Sequence, residues 1–289
     1  MNPRRRNLFI IIIVIILLAL IGAFSLRGHN KKVSASQTQK VVTIGRIAGT
    51  KKDDAIWEAV AKRAKEKYNI QLKFTFFTDY SQPNAALSNG SIDLDAFQIY
   101  AFLENWNKAH QSKLVSIGDL WITPLRLFSQ KVKKVSDLQD GATIAVPNDT
   151  SNESHALYLL ESAGLIKLNV GGSALATIKN ISENPKHLVI KELDAAQTAH
   201  ALGSVDAAVI TRNFADTAKI PLSEAIFSEP LKNYSKEWVS LVAANKKDEH
   251  NKTYEDVIKA IHSPYVAAAV KKNYANGELL PAWEFKTKN

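Results

Sequence analysis

The chain has 289 residues, room for one large domain or two smaller ones. It contains no cysteine, which excludes disulfides, thiolate catalysis, thiolate metal sites and a lipid carried on a processed N-terminal Cys. The formal net charge of +9 is concentrated at one end: the first forty residues hold seven Lys or Arg and no acid, so the remainder carries 30 basic against 28 acidic residues and has no electrostatic footprint for nucleic acid.

In chain order, Arg4, Arg5 and Arg6 precede an uncharged, nearly all-apolar run from Leu8 to Phe24. As a helix this run is about 26 Å long, close to the hydrocarbon thickness of a bilayer. The Arg cluster belongs on the cytoplasmic side, which puts the rest outside. The run therefore reads as one N-terminal transmembrane or signal helix. An uncleaved signal anchor is favoured over a secretory signal cut near Ala35, because that small-residue site lies far beyond a core that is long for a signal peptide. Ser34 to Gln39 has linker composition, so residues 1–40 form anchor or signal plus linker.

Residues 41–46 read as a first strand. Asp53 to Tyr68 reads as a helix with Ile56, Val60, Ala64 and Tyr68 on one face. Leu72, Phe74 and Phe76 alternate as a strand, Gln82 to Asn89 reads as a short helix stopped by Gly90, and Ile92 to Phe97 as another strand. Alternation continues through Thr143–Val146, Ser151–Ala163, His187–Leu193, Ala195–Leu202 and Val205–Ile210. Trp238 to Ala243 reads as a strand, and Tyr254–His262 and Tyr265–Tyr274 as closing helices. The pattern is α/β, with a mainly parallel sheet expected.

The segment Ala145 to His155 is a strand, a polar turn and a helix start. Thr150 and Glu153 have capping-box spacing, and Gly164 sits where a C-terminal cap belongs. The first turn of such a helix offers unpaired N–H groups to a small anion such as an amino-acid carboxylate, although capped helices of this kind are common in any α/β domain. The usual catalytic constellations are missing. No His pairs with an acid at metal-binding helical spacing, neither Gly-rich stretch ends in the Lys-Ser/Thr of a phosphate loop, and no nucleophile–base pair can be named. The residues point to a binder rather than an enzyme, with no cofactor and no metal.

Ordered motifs carry the reading further: Lys67-Tyr68 through Phe77-Thr78-Asp79-Tyr80 and Pro83-Asn84; Leu87, Gly90, Ile92-Asp93, Ala96-Phe97-Gln98 and Leu103; and Ile144 through Asp149 with Asn152. They continue through Gly164-Leu165-Ile166, Glu183-Asn184-Pro185, Glu192 through Ala195 with Gln197, Ala208-Val209-Ile210 with Asn213, and Pro281-Ala282-Trp283. The body resembles the NlpA/MetQ family of substrate-binding proteins that serve methionine-type ABC importers. That resemblance covers nearly all of residues 41–283. It implies a two-lobed, periplasmic-binding-protein-like clamp of type II, with lobe 1 from residues 41–125 plus 226–289 and lobe 2 from 126–225. It also implies an amino-acid ligand, methionine or a related small molecule, in the cleft between lobes, and permease and ATPase subunits as partners.

Carried over residue by residue, Tyr80, Phe97 and Asn152 match positions that contact ligand in the family. Departures surround them. Ile99 stands where the family has His, Phe102 and Phe214 where it has Tyr, His155 where it has the Arg that pairs with the ligand carboxylate, Thr211 where it has Asn, and Ser240 at another Asn position. Arg212, beside Thr211, is a candidate compensating charge, unless strand alternation turns it away. Two binding roles remain open: the extracellular component of an importer, or a membrane-tethered sensor or scavenger with a different ligand.

Overall fold

The computed structural model describes residues 39–171, 175–231 and 235–285. The expected Leu8–Phe24 span lies outside the described residues, and among those described no helix is long and apolar enough to cross a membrane. The chain opens with strand β1 (Lys40–Ile47), helix α1 (Lys51–Tyr68), β2 (Ile70–Phe77), α2 (Pro83–Ser88), β3 (Leu94–Asp95) and α3 (Tyr100–His110). Three strands follow, β4 (Leu114–Asp119), β5 (Trp121–Ile122) and β6 (Arg126–Phe128), then β7 (Thr143–Pro147), α4 (Thr150–Ser162), β8 (Lys167–Leu168), β9 (Ile181–Glu183) and β10 (Val189–Leu193). The remainder is α5 (Ala195–Ala201), β11 (Ala207–Ile210), α6 (Arg212–Thr217), β12 (Ala225–Ser228), β13 (Leu241–Asn245), α7 (Lys252–Ile261), α8 (Pro264–Asn273) and β14 (Leu280–Pro281).

Two five-stranded sheets organise these elements, in the orders β2-β1-β3-β13-β4 and β10-β7-β11-β6-β12. The expected mainly parallel sheet is instead two mixed sheets. β1 runs parallel to β2 and β3, and β7 parallel to β10 and β11, whereas β13 runs antiparallel to β3 and β4, and β6 antiparallel to β11 and β12. β13 returns to the first sheet only after the chain has built the second, so no βαβ crossover fixes its direction. Each sheet buries its own apolar face. Trp57 and Val60 of α1 pack with Val42, Val257, Ile261 and Val270 beside the first sheet. Leu157 and Leu160 of α4 pack with Leu127, Ile144, Val146 and Val209 of the second.

Most expected elements are present, with shifted boundaries. The Ile92–Phe97 strand contracts to Leu94–Asp95. Beyond it the chain turns away: Gln98 donates from Nε2 to the oxygens of the buried Asp95 carboxyl group, and its amide pairs with the Asn84 amide. The strand expected from Trp238 becomes a 3₁₀ turn over Lys236–Trp238, with β13 beginning at Leu241. Helix α1 starts as its acids suggest, with Asp53 Oδ2 accepting from the Thr50 backbone N–H at 2.9 Å. Gly45 is required by a close approach, since a Cβ there would lie 2.5 Å from Ile92 Cδ1.

Helix α4 corrects the capping-box reading. Its N-cap is Asp149, whose Oδ1 accepts from the Asn152 backbone N–H at 3.0 Å. Glu153 does not reach back to Thr150. Its Oε1 accepts instead from the Ile178 backbone N–H at 3.0 Å. The C-terminal end follows expectation, with Gly164 in the left-handed region at φ +73.

Candidate functional site

The C-terminal ends of the parallel strands open onto one cavity of about 140 Å³. Arg46 and Ile47 end β1 and Gly49 follows it, residues 96–99 follow β3, Asn152 and His155 follow β7 on α4, and Thr211, Arg212 and Asn213 follow β11. In α/β proteins ligands sit at such edges, because the chain leaves each strand there as a loop or a helix N-terminus with backbone groups to offer. All seven residues singled out from the sequence, Tyr80, Phe97, Asn152, His155, Thr211, Arg212 and Ser240, line this cavity. Arg212 does not turn away.

One wall is aromatic. Tyr80 packs on Phe97 and Phe102, which line the cavity with it, at ring-centroid distances of 5.8 and 6.1 Å, and also on Phe214, which is not a lining residue, at 5.1 Å. Such edge-to-face and tilted contacts fix the rings in place. The Tyr80 hydroxyl donates to Asn213 Oδ1 at 2.6 Å and lies 3.1 Å from Thr211 Oγ1. Burial pushes the Tyr80 phenol up, well above its ordinary range, so it remains a neutral donor.

The polar residues are mostly occupied already. His155 Nε2 lies 2.8 Å from Glu229 Oε1, and its ring stacks on Trp238 at 4.2 Å with an interplanar angle of 5°. A carboxylate oxygen accepts, so Nε2 carries the proton and is spent on Glu229. Arg212 donates from Nη1 to Asp216 Oδ2 at 2.7 Å and to the Tyr274 hydroxyl at 2.8 Å, and its Nη2 lies 2.9 Å from Asp53 Oδ1. Burial works against the Arg212 charge, but Asp53, Tyr274 and Asp216 outweigh it and hold the guanidinium protonated. Burial also pushes the Asp53 carboxyl up, but the Arg212 charge and the Thr50 hydrogen bonds outweigh it, leaving Asp53 below the usual carboxylate range. Ser240 donates its hydroxyl to the Trp121 carbonyl and accepts from the Trp121 N–H, at 2.9 and 3.0 Å. Asn152 donates its amide to the Asp149 carboxylate at 3.0 Å. That carboxylate already occupies the first turn of α4, where the sequence offered open N–H groups to an anion.

Sequence reasoning passed over Arg46, Asp53, Trp57, Trp121 and Asn213 as cavity residues. Arg46 had a signal: it shares a strand face with Val42 and Ile44, an unusual place for a cation. Its side chain is 4% exposed. Asn213 lay inside a quoted motif. Its Nδ2 is buried and has no hydrogen-bond partner among the described residues, while its Oδ1 is taken by Tyr80. Among the described residues no group of His, Asp and Glu is arranged to hold a metal ion.

The model of the NlpA lipoprotein family matches residues 42–283. The chain belongs to the NlpA lipoprotein family. Within the family it is 35% identical to the D-methionine-binding lipoprotein MetQ of Yersinia pestis, over 92% of this chain and 96% of that one. Two solved family structures superpose on it. The substrate-binding protein of a methionine transporter from Streptococcus pneumoniae matches with a TM-score of 0.79 and 44% identity, covering 84% of this chain and 96% of the other. A nutrient-binding protein from Burkholderia cenocepacia, bound to methionine, matches with a TM-score of 0.78 and 41% identity, covering 83% and 99%.

Proposed function

We propose that this chain is the extracellular substrate-binding component of an ABC importer, and that it binds an amino acid, methionine or a close relative, without turning it over. The observation that carries the proposal is the cavity at the carboxyl edges of both sheets. Its aromatic lining of Tyr80, Phe97 and Phe102 suits an apolar side chain, and Arg46, Asp53 and Arg212 line the same cavity with charge. An amphipathic zwitterion with an apolar tail has that distribution. The relatives named for methionine at 35–44% identity support the same reading.

In this proposal each sheet is the centre of one lobe. The first is built from residues 40–119 and 241–245, the second from 126–228, so lobe 2 is drawn to Ser228, a few residues past the boundary that the resemblance implies, because β12 pairs with β6. Closure of the lobes around ligand is the signal read by permease and ATPase subunits. Tyr80, Phe97, Asn152, His155, Thr211, Arg212 and Ser240 form the ligand's surroundings, the last four mainly as a framework whose hydrogen bonds are already committed. The anchor belongs to the proposal too: relatives are named lipoproteins, but this chain has no Cys to carry a lipid. The Arg4–Arg6 cluster before Leu8–Phe24 supports a spanning helix with the body outside.

The test is direct. Full-length chain is purified in detergent and denatured, and released small molecules are identified by mass spectrometry. Methionine is then added back in thermal unfolding, where a ligand bound only by the folded state raises the midpoint. Recovery of no amino acid, with no midpoint change for any of the standard amino acids, overturns the proposal.

A further inference from the structure

Among the described residues the cavity holds two arginines in opposite circumstances. Arg212 is held by two carboxylates and a phenol, and its charge is met within the protein. Asp53 is saturated. Its Oδ1 takes Arg212 and the Tyr274 hydroxyl, and its Oδ2 takes the Thr50 N–H and Oγ1, at 2.9 to 3.0 Å. Nothing on Asp53 remains for Arg46.

The Arg46 guanidinium lies over Trp57, Phe74 and Phe76, 4.7, 5.1 and 5.4 Å from the ring centroids. Its nearest carboxylate is Asp54, 3.8 Å away and half exposed, and among the described residues no hydrogen bond reaches its guanidinium. A guanidinium presents five N–H donors in a planar fork, and burying such donors unpaired is costly. Stacking on aromatic faces satisfies the charge in part but not the fork. The buried Asn213 Nδ2 is a second idle donor on the same cavity. On the α4 wall, by contrast, a carboxylate would meet a His155 Nε2 already engaged by Glu229 and an Asn152 amide already engaged by Asp149.

We infer that Arg46 is the anion anchor of this site: it forks the ligand's carboxylate from β1, in place of an arginine at position 155, with Asn213 Nδ2 as a further donor. The inference rests on the proposed amino-acid reading and adds which atom of the ligand meets which wall. Arg46 stays charged over the whole physiological range. Burial lowers its pKa to about 10, with Asp53 and Asp54 opposing that shift. A charge-assisted fork to a carboxylate in a desolvated site is among the stronger polar contacts available.

The test compares L-methionine with L-methionine amide, which lacks only the charged carboxylate, by calorimetry on the full chain in detergent at about pH 6, where both amines are protonated. The unaltered protein is expected to prefer the acid by about 30-fold or more, the usual consequence of losing a buried charged hydrogen bond. Arg46→Met, of similar length, is expected to reduce that preference to near unity. Arg46→Lys, which keeps the charge but not the fork, is expected to give an intermediate ratio, and serves alone if the Met variant does not fold. His155→Ala is expected to weaken acid and amide alike and leave the ratio intact. Methionine binding whose acid preference survives both Arg46 variants overturns the anchor and leaves the methionine reading standing, as does a preference lost only in His155→Ala. Absence of methionine binding by the unaltered chain fails both.

Discussion

Replacing Arg212 with Met tests the charged cluster that joins α6 to α1. The guanidinium connects Asp53 on α1, Asp216 on α6 and Tyr274 after α8, through contacts of 2.7 to 2.9 Å. Its side chain is 13% exposed, and those of Asp53 and Asp216 are 9% and 20% exposed. Methionine fills similar volume, so the cost is mainly that of two largely buried carboxylates left facing each other. Breaking a buried pair from one side typically costs about 3–5 kcal/mol. For a body of this size each kcal/mol moves the melting temperature by roughly 2–4 °C, so a fall of about 6–20 °C is expected at neutral pH. The effect has a pH signature. In the unaltered protein Asp53 is held below the ordinary carboxylate range, so its contribution is present above that range and lost as pH falls through its folded value. Without Arg212 only the Thr50 hydrogen bonds oppose the effect of burial on Asp53, so its pKa rises and protonation relieves the strain at mildly acidic pH. The deficit of Arg212→Met should therefore shrink between about pH 7 and about pH 4.5. Asp53→Asn in the same chain should recover part of the loss, read as a coupling in the double-mutant cycle. A loss below about 1 kcal/mol, or strict additivity of the two changes, would refute the account.

Three further changes probe the framework of the cavity. Burial pushes Asp95, behind Gln98, up to about 8 despite the Gln98 hydrogen bond. The fold therefore keeps its proton while the unfolded chain releases it, and stability should fall as pH rises from about 4 to about 8. Asp95→Asn should flatten that slope, gaining at least about 2 kcal/mol at the alkaline end relative to the acidic end, and a pH-independent difference in urea unfolding would argue against it. Asp149→Ala should cost about 1 kcal/mol through the lost N-cap, with Thr150→Ala nearly neutral, and the reverse ranking in urea unfolding would restore the capping box expected from the sequence. Gly45→Ala should cost about 1–3 kcal/mol, because its Cβ would lie 2.5 Å from Ile92 Cδ1. Ile92→Val removes that atom and should return much of the loss in the double variant, and a thermal midpoint unchanged by Gly45→Ala would sink the packing argument.

Local signals located the elements well where period and punctuation agreed. The apolar face of α1, the alternation in β2, and the helix between Asp149 and Gly164 all stand within a few residues of their expected positions. They failed where a side chain had a distant alternative. Glu153 has capping-box spacing, but it bonds the Ile178 backbone, 25 residues away. The stretch after Asp95 is apolar enough for a strand, but the Gln98 side chain satisfies the buried Asp95 and Asn84, and the chain turns into the cavity. Strand direction in the two sheets was equally out of reach, since the period of a strand is the same whichever way its neighbour runs.

The site divides along the same line. The sequence by itself determined, through the ordered motifs it shares with the family, which residues to look for, and Tyr80, Phe97, Asn152 and His155 do line the cavity. It also determined that no thiol chemistry is available to this chain and that the body carries almost no net charge. Only the tertiary structure decided which of the gathered charges are free. Arg212 meets Asp53 across 159 positions and His155 meets Glu229 across 74, so the Arg212 charge and the His155 Nε2 are already engaged by those partners. Arg46 reads from the sequence as an oddity on an apolar strand face, and becomes a candidate anchor only once Trp57, Phe74 and Phe76 surround it and Asp53 is seen to be engaged elsewhere. The physical reason is that spacing along the chain sets where a donor points, whereas whether it is satisfied depends on partners brought in from any distance.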